Sequence, residues 1–201
     1  MKDCVFCQTD NIKRDILLES ENFFVKVGVG ILAPGHVMII PKMHLTCFGE
    51  LPQQLMKEFL SLKDEVFNKV KSNFFEPIIF EHGIYGQSIS HAHMHIIPIK
   101  SGHYNLKNIK ENFFKGLKST KIENFSKLAD IFREEGSYLY LKENGQNWVF
   151  HTKDAPNGKY IFRKQFANFT GLHGLSDWKA MDDEERERNK EWVKVTKEVF
   201  K

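Results

Sequence analysis

The sequence predicts an α+β fold of short strands and amphipathic helices, and its 201 residues can form either one large domain or a core domain with an extension. Two short apolar segments, at 16–19 and 22–27, flank a polar turn, as expected for a pair of strands. Residues 51–74 carry apolar side chains at intervals of three and four, which is the spacing of an amphipathic helix. Histidines that alternate with apolar residues at 91–96 predict a further strand.

Length and composition limit the class of protein. The 201 residues include 41% hydrophobic residues and 18 Phe, which is ample material for a core. The net charge of +3 comes from 29 basic and 26 acidic residues, so we expect no stable nucleic-acid partner. We recognise no signal peptide, and no segment reaches the ~20 apolar residues of a membrane helix. A cytoplasmic protein without a membrane partner is therefore expected.

Two of the three cysteines lie close together, as Cys4-x-x-Cys7. Three cysteines do not make the disulfide framework of a secreted domain. The spacing is that of a metal-binding knuckle, in which two thiolates need two further ligands to complete tetrahedral zinc. The alternative is a pair of free thiols near a frayed terminus.

A loop that contains glycines follows the first two predicted strands. Gly28 and Gly30 come after segment 22–27, and a turn at 33–35 leads into a predicted strand at 36–40. Small residues in this loop would let a base or a sugar approach the backbone closely. His36 begins the third strand, where a histidine can be either structural or functional.

The middle of the chain predicts a helix and then a strand. Pro52 suits the first turn of the helix at 51–74, and the apolar stripe of this helix is expected to pack against a sheet. Residues 77–83 predict a strand that ends at a glycine turn. Within this segment Glu81 and His82 could line a pocket wall, although the simpler role for His82 is to cap the turn.

Three histidines alternate with apolar residues in the next segment. In a strand His91, His93 and His95 would project to one side, whereas a helix would spread them around its axis and end awkwardly at a proline. We therefore predict a strand. Three aligned imidazoles could ligate a metal, or the central one could attack an electrophile while its neighbours hold the surrounding oxygens. The plain alternative is a surface strand with chance histidines.

The C-terminal half predicts two helices, a hairpin and a terminal helix. The first two helices span 123–134 and 160–167, and the strands 137–141 and 148–151 flank Asn144-Gly145, which accepts positive φ angles. Asp182 opens a capping-box arrangement with Glu185, which begins the terminal helix. Trp178 precedes this helix and is read as a packing residue.

The histidine segment, preceded by Gly86-Gln87-Ser88, resembles the signature of the histidine-triad (HIT) superfamily of nucleotide hydrolases and transferases. Residues 33–44 resemble its other landmark, a strand that runs into Pro-Lys-x-His. The resemblance covers roughly residues 4–100. It implies a HIT-like antiparallel sheet with packed helices in a catalytic domain at 1–100. A C-terminal α/β extension at 101–201, as in a longer branch of the superfamily, would pack on this domain.

The resemblance implies a structural zinc and no organic cofactor. In many HIT proteins the cysteine pair is completed by the histidine of Pro-Lys-x-His and the first triad histidine, which gives Cys4, Cys7, His44 and His91. If His91 holds zinc, His93 and His95 remain as the working catalytic pair.

The resemblance also implies a catalytic mechanism. His93 would attack the α-phosphorus of a nucleotide to form a nucleotidyl-histidine, while a backbone carbonyl fixes its tautomer. His95 would donate to an oxygen of the substrate. Ser88 and Gln87 lie just upstream, where they could bind the leaving group. His91 completes the catalytic triad.

Four residues are expected to bind the substrate. His36 would lie near the central triad histidine and position the phosphate, and Gly86 belongs to the triad signature. Gly28 stands where short HIT proteins carry an acidic residue for the ribose, so that contact is missing here. Arg163 lies in a helix that resembles Gln-Tyr-x-x-Arg, with Lys159 in place of the glutamine, and could reach a phosphate.

The expected function is a nucleotide phosphohydrolase that acts on a dinucleoside polyphosphate or a nucleoside phosphoramidate. A nucleotidyltransferase would share the intermediate, and a zinc-stabilised nucleotide-binding module would show little turnover. A metallohydrolase with zinc on all three triad histidines is a further alternative. The expected partners are a nucleotide substrate and, through the helix at 51–74, a second copy in a homodimer, although the extension could occupy that surface instead.

Overall fold

The computed structural model describes residues 4–99, 113–114, 116–155, 161–170 and 173–201. Within these ranges eight strands form one antiparallel sheet in the order β1-β2-β3-β5-β4-β7-β8-β6. The strands are β1 (Ile16–Glu19), β2 (Phe23–Val27), β3 (Val37–Pro41), β4 (Pro77–Glu81), β5 (Met94–Pro98), β6 (Ser119–Ile122), β7 (Tyr138–Glu143) and β8 (Gln146–His151). The α-helices are α1 (Met56–Asn73), α2 (Lys127–Glu135), α3 (Ile161–Thr170) and α4 (Asp183–Val199). None of these helices combines the length and the apolar content that crossing a bilayer requires.

The predicted α+β fold class is confirmed, with an antiparallel sheet and packed helices. The strands predicted at 16–19, 22–27 and 36–40 are present as β1, β2 and β3. The helix predicted at 51–74 begins later than expected, because residues 53–55 form a 3₁₀ turn that leads into α1. Its apolar stripe is buried as predicted, at Phe59, Leu62, Val66 and Val70.

The two faces of the sheet carry separate apolar layers. Ile79 packs in the layer that includes residues of α1 and α2, whereas its neighbours Ile78 and Phe80 pack in the opposite layer. Successive side chains of a strand point to opposite faces, and this places neighbouring residues in different layers. The ring of Phe80 stacks on Phe162 of α3 with centroids 3.8 Å apart. The face that carries α3 is the face of the candidate site.

The C-terminal half continues the sheet of the N-terminal half. Strand β7 pairs with β4, for example Phe80 with Leu141, so that β7, β8 and β6 extend the sheet beyond β4. The predicted hairpin is present, and Asn144 and Gly145 have φ angles of 48° and 71°. Strand β6 was not predicted, because its sequence Ser-Thr-Lys-Ile has little apolar content. The division at residue 100 stays a prediction and lies outside the described residues.

The other predicted helices are present with shifted ends. Helix α2 begins at Lys127 rather than 123, and α3 continues to Thr170, while residue 160 lies outside the described ranges. Helix α4 begins with the predicted capping box. The Asp182 carboxylate accepts from the Glu185 N–H at 2.8 Å, and the Glu185 carboxylate accepts from the Asp182 N–H at 3.1 Å.

One buried carboxyl group is expected to make the stability of this fold depend on pH. Glu81 is 2% exposed, and it accepts from the Phe48 N–H at 2.8 Å and from the Tyr138 hydroxyl at 2.7 Å. Burial raises the pKa of Glu81 from 4.5 to about 7. The folded chain therefore holds a proton that the unfolded chain has already lost. The free energy of unfolding should fall as the pH rises from 4.5 through 7, by about 3 kcal/mol for a shift of this size.

The variant Glu81→Gln should remove this pH-dependent part of the free energy of unfolding, because the amide does not titrate. Urea denaturation between pH 5 and pH 8 measures it as the difference between variant and wild type, in which contributions from other groups cancel. Glu65→Gln on the exposed side of α1 is the matched control and should keep the wild-type slope. Equal slopes in wild type and Glu81→Gln would show that Glu81 titrates normally.

Candidate active site

A cavity of about 450 Å³ opens on the sheet face that carries α3. Four histidines line it: His36 lies just before β3, His82 follows β4, and His93 and His95 lie at the start of β5. Gly28, Lys26, Arg163, Gly86 and Ser88 also belong to its wall. The structure thus brings together His93, His95 and all four residues that were expected to bind the substrate.

The triad segment differs from the predicted strand. Strand β5 begins only at Met94, and the backbone N–H of Ala92 donates to the Leu45 carbonyl at 2.7 Å instead of entering the ladder. His93 and His95 face the cavity, but His91 does not line it. The prediction of three histidines on one strand face is therefore wrong for His91, whose ring lies against the cysteine pair.

The hydrogen bonds of His93 leave one ring nitrogen free for chemistry. Its Nδ1 lies 2.7 Å from the backbone carbonyl of His91. A carbonyl can only accept, so Nδ1 carries the proton and Nε2 keeps its lone pair. The expected carbonyl partner is present. A bare imidazole nitrogen that faces a cavity can act as a nucleophile.

Two hydrogen bonds indicate that His95, unlike His93, presents a protonated ring nitrogen to the cavity. The Leu32 N–H donates to Nδ1 of His36 at 3.0 Å, so the proton of His36 lies on Nε2. That nitrogen is 3.0 Å from Nδ1 of His95, which accepts and must therefore be protonated on its own Nε2. Two ring nitrogens therefore face the cavity: Nε2 of His93 carries no proton, and Nε2 of His95 carries one and can donate it. The centroids of these two rings are 5.1 Å apart.

Burial keeps these imidazoles neutral. Removal from water lowers the pKa of His93 to about 4 and that of His36 to about 3. The pKa of His95 is lowered well below its usual range by burial and by the neighbouring His93 and His36. Neutral rings are what the relay from Leu32 through His36 to His95 requires, because each ring must accept one hydrogen bond and donate another.

Arg163 lines the cavity with much of its donor capacity already used. Its guanidinium donates to the carbonyl of Leu175 at 2.6 Å and to the carbonyl of Gly30. Burial lowers its pKa to about 10, so it stays charged at neutral pH. These bonds hold the loop at 28–32 against the C-terminal half. Phosphate binding by Arg163 stays a prediction.

The residues of the Gly-Gln-Ser segment take different positions. Gln87 donates from Nε2 to the carbonyls of Thr46 and His91, at 3.1 and 2.9 Å, so it braces the turn before His93. Ser88 and Gly86 line the cavity, and Gly86 has a φ of 72° that favours glycine. The leaving-group role of Gln87 stays a prediction, and in this structure its amide is engaged with backbone.

Cys4, Cys7, His44 and His91 converge beside the cavity. Their ligand atoms lie within 4.8 Å of one another, and within the described ranges no other cluster of three or more candidate ligands was found. Cys4 Sγ is 3.3 Å from His91 Nδ1, and Cys7 Sγ is 3.3 Å from His44 Nδ1. Tetrahedral zinc with two thiolates and two imidazoles would separate sulfur and nitrogen by about 3.6 Å.

The chemistry of these donors also fits a metal. His91 donates from Nε2 to the Pro41 carbonyl at 2.8 Å, so the lone pair of Nδ1 faces the thiols. Burial and the adjacent Cys4 raise the pKa of the Cys7 thiol. A bound cation would reverse that effect and allow both thiols to ionise. The four residues could therefore hold zinc as a structural ion outside the cavity.

The structure places Lys26 and Glu81 differently from what the sequence suggested. Lys26 was missed: it is 3% exposed in the otherwise apolar β2 and donates to the Val27 carbonyl at 2.7 Å. A lysine in a buried strand was the available signal. Of the two suggested wall residues, His82 lines the cavity, but Glu81 points into the opposite layer. The Glu81 carboxylate bonds to Phe48 and Tyr138 on the other face of the sheet, so that suggestion was wrong for Glu81.

Comparison with known proteins shows which proteins the N-terminal part of the chain resembles. The family model of the HIT domain matches residues 9–102. An uncharacterised HIT-like protein of Methanocaldococcus jannaschii is 28% identical over 104 residues, which is 49% of this chain and 81% of that protein. The adenosine 5′-monophosphoramidase of Saccharomyces cerevisiae is 25% identical over 99 residues, covering 47% of this chain and 61% of the enzyme.

Two further proteins resemble this chain over different shares of their own length. A HIT family hydrolase from Clostridium thermocellum, known from its solved structure, is 27% identical with a TM-score of 0.43 and covers 53% of this chain and 98% of its own. The CWF19-like protein 1 of Xenopus laevis is 22% identical over 155 residues, which is 74% of this chain and 28% of that protein. Residues 9–102, just under half of the chain, therefore match the HIT domain, and the relatives of known sequence share this part of the chain.

Proposed function

We propose that the chain is a nucleotide phosphohydrolase that cleaves a dinucleoside polyphosphate or a nucleoside phosphoramidate through a nucleotidyl-histidine on His93. The observation that carries this proposal is the pair of ring nitrogens in the cavity. His93 presents a bare Nε2 and His95 presents a protonated Nε2. The nucleotide class is supported by the yeast relative, which is named an adenosine 5′-monophosphoramidase.

In the first step the lone pair of His93 Nε2 forms a bond to phosphorus. The bond from phosphorus to the leaving group breaks, and the leaving group departs with that electron pair and takes a proton from the medium. The ring becomes an imidazolium, whose Nδ1–H stays on the His91 carbonyl. His95 donates to a phosphoryl oxygen, where it stabilises the charge that builds in the transition state.

In the second step water replaces the histidine. A water oxygen bonds to phosphorus, the P–N bond breaks, and its electron pair returns to His93 Nε2. The water gives up one proton to the medium, so the full cycle consumes one water molecule. Neutral His93 is regenerated, which its low pKa favours. The zinc, if bound by the four-residue cluster, would stabilise the turn that carries the His91 carbonyl.

The positions of the three triad histidines argue against a single catalytic metal ion held by all three rings. Nδ1 of His91 faces Cys4 and Cys7, whereas His93 and His95 face the cavity. A single ion held by all three rings would need His91 to turn away from the cysteine pair. The arrangement therefore supports phosphoryl transfer to nitrogen over a metallohydrolase.

A labelling experiment tests the proposal. The protein is incubated with adenosine 5′-phosphoramidate and with diadenosine polyphosphates labelled at the α-phosphorus, then quenched in detergent at alkaline pH, where phosphorus–nitrogen bonds to histidine survive. We expect turnover and transient label on the protein. Tight nucleotide binding without label or turnover would instead identify a binding module.

His36 is expected to act as a positioning residue through its effect on His95. The variant His36→Ala removes the donor that fixes the tautomer of His95, so we expect kcat to fall by roughly 10²-fold while KM changes little. Steady-state kinetics measure both constants. His36→Gln can accept from Leu32 and donate to His95, so it should restore part of the rate. Equal losses in both variants would contradict the relay.

A further inference from the structure

A second cavity, of about 540 Å³, adjoins the first one. Both cavities are lined by Asp15, by Trp178 and by the loop residues 28–30. We call the first the histidine cavity and the second the outer cavity. Each has the size of a pocket that holds one small ligand. A substrate that reacts at His93 could thus extend past the loop into the outer cavity.

The C-terminal half builds the far wall of the outer cavity. The side chain of Asn189 in α4 donates to the Ile31 carbonyl at 2.8 Å, and Thr196 of α4 accepts from the Gly35 N–H at 2.8 Å. Trp178 lies so close to the loop that a Cβ atom at Gly30 would come within 2.3 Å of the Trp178 Cβ. The wall is therefore packed onto the loop that separates the two cavities.

The outer cavity is lined by more positive than negative charge. Lys179, Arg186 and Lys190 line it, and the single carboxylate among its lining residues is Asp15, which pairs with Lys197 at 2.9 Å. On the surface of α4, Arg186 lies 3.9 Å from Asp183 and Lys190 lies 2.5 Å from Glu187. Such exposed pairs are weak and can be exchanged for a stronger anion.

Apolar surface accompanies these charges. Trp178 is 41% exposed and Val29 is 62% exposed, and Lys179 Nζ lies 5.6 Å from the centre of the indole ring. An exposed aromatic face beside cations suits a ligand that combines phosphate with a flat base or sugar. The guanidinium of Arg186 offers the planar set of donors that binds two phosphate oxygens.

From this arrangement we infer that the outer cavity binds a second phosphoryl group of the substrate, distant from the phosphorus that His93 attacks. The inference rests on the proposed function and adds a binding subsite supplied by the C-terminal half. Two sources share this chemistry. The group can be a 3′-phosphate on the nucleoside in the histidine cavity, or it can belong to the second nucleotide of a dinucleoside polyphosphate.

Kinetics on three substrates separate these sources. The probes are adenosine 5′-phosphoramidate, its 3′-phosphorylated form and diadenosine tetraphosphate. We expect kcat/KM to be higher for at least one of the two larger probes. The double variant Arg186→Gln/Lys190→Gln should lower that value by about tenfold and leave the unphosphorylated phosphoramidate within about twofold. Preference for the 3′-phosphate places the group on the nucleoside, and preference for the tetraphosphate places it on the leaving group.

A matched control removes the same charges elsewhere. Lys127→Gln/Arg133→Gln on the exposed side of α2 should leave all three substrates unchanged. The inference is overturned if the α4 double variant affects all three substrates equally, or none of them.

A binding measurement keeps this test independent of catalysis. In the His93→Ala background, which should consume almost no diadenosine tetraphosphate, calorimetry should show that this ligand or adenosine 3′,5′-bisphosphate binds more tightly than AMP. Adding the α4 double substitution should remove the difference. Equal affinities for all three ligands in the His93→Ala background would overturn the inference even if wild type hydrolyses the phosphoramidate. Binding preference without any turnover would support the subsite and contradict the proposed function.

Discussion

Replacing His93 with alanine is expected to lower kcat by on the order of 10⁴-fold and to abolish the labelled intermediate. The reason is that Nε2 of His93 is the nitrogen whose lone pair the Nδ1 contact with the His91 carbonyl leaves free. His95 cannot substitute, because its relay through His36 leaves it with a proton on the nitrogen that faces the cavity. Single-turnover assays with labelled substrate measure both effects.

A histidine outside both cavities provides the control. His151→Ala on β8 removes a ring that contacts Thr120 and Glu135, and it should leave the rate within a few-fold of wild type. The glycine variant of His93 adds a second test, because free imidazole could enter the vacated space and accept the nucleotidyl group. Label that persists on His93→Ala would show that another residue carries the intermediate.

Loss of the proposed zinc site at Cys4, Cys7, His44 and His91 is expected to have the largest effect on stability. The variant Cys4→Ser/Cys7→Ser deletes two of four ligands, and we expect zinc content to fall from one per chain to none. At free zinc 1,000 times above the dissociation constant, the lost binding corresponds to about 4 kcal/mol. For a chain of this size that loss lowers Tm by about 10 °C. Metal analysis and thermal unfolding measure the two quantities.

The third cysteine is the control for this prediction. Cys47 is buried in the apolar layer that includes residues of α1 and α2, and it does not belong to the four-residue cluster. Cys47→Ala should keep one zinc per chain even if core packing suffers. Chelation should lower the Tm of wild type but not that of the double serine variant. A double variant that still holds zinc would exclude these thiols as ligands.

Zinc loss should also lower activity, because the cluster supports the turn before His93. The His91 carbonyl accepts from both His93 and Gln87, while the His91 ring faces the thiols. Release of that ring would loosen the carbonyl that fixes the tautomer of His93. We therefore expect kcat to fall on chelation and to return when zinc is restored.

Features written in short stretches of sequence could be predicted. The alternation at 91–96 and the Pro-Lys-x-His stretch indicated the resemblance to the histidine-triad superfamily. Asn144-Gly145 indicated a hairpin, and Asp182 with Glu185 indicated the start of α4. Each of these depends on local backbone geometry, such as a positive φ or a capping hydrogen bond, which neighbouring residues determine among themselves.

By itself, the sequence predicted the fold class, the resemblance to the histidine-triad superfamily and the candidate ligands and nucleophile. The tertiary structure decided which of those residues reach the cavity and which make contacts elsewhere. It turned His91 to the cysteines, pointed Glu81 away from the cavity and bonded Arg163 and Gln87 to distant carbonyls. It also paired β7 with β4 and brought α4 against the loop at 28–32. These outcomes depend on contacts between residues far apart in the chain, which no local pattern of residues encodes.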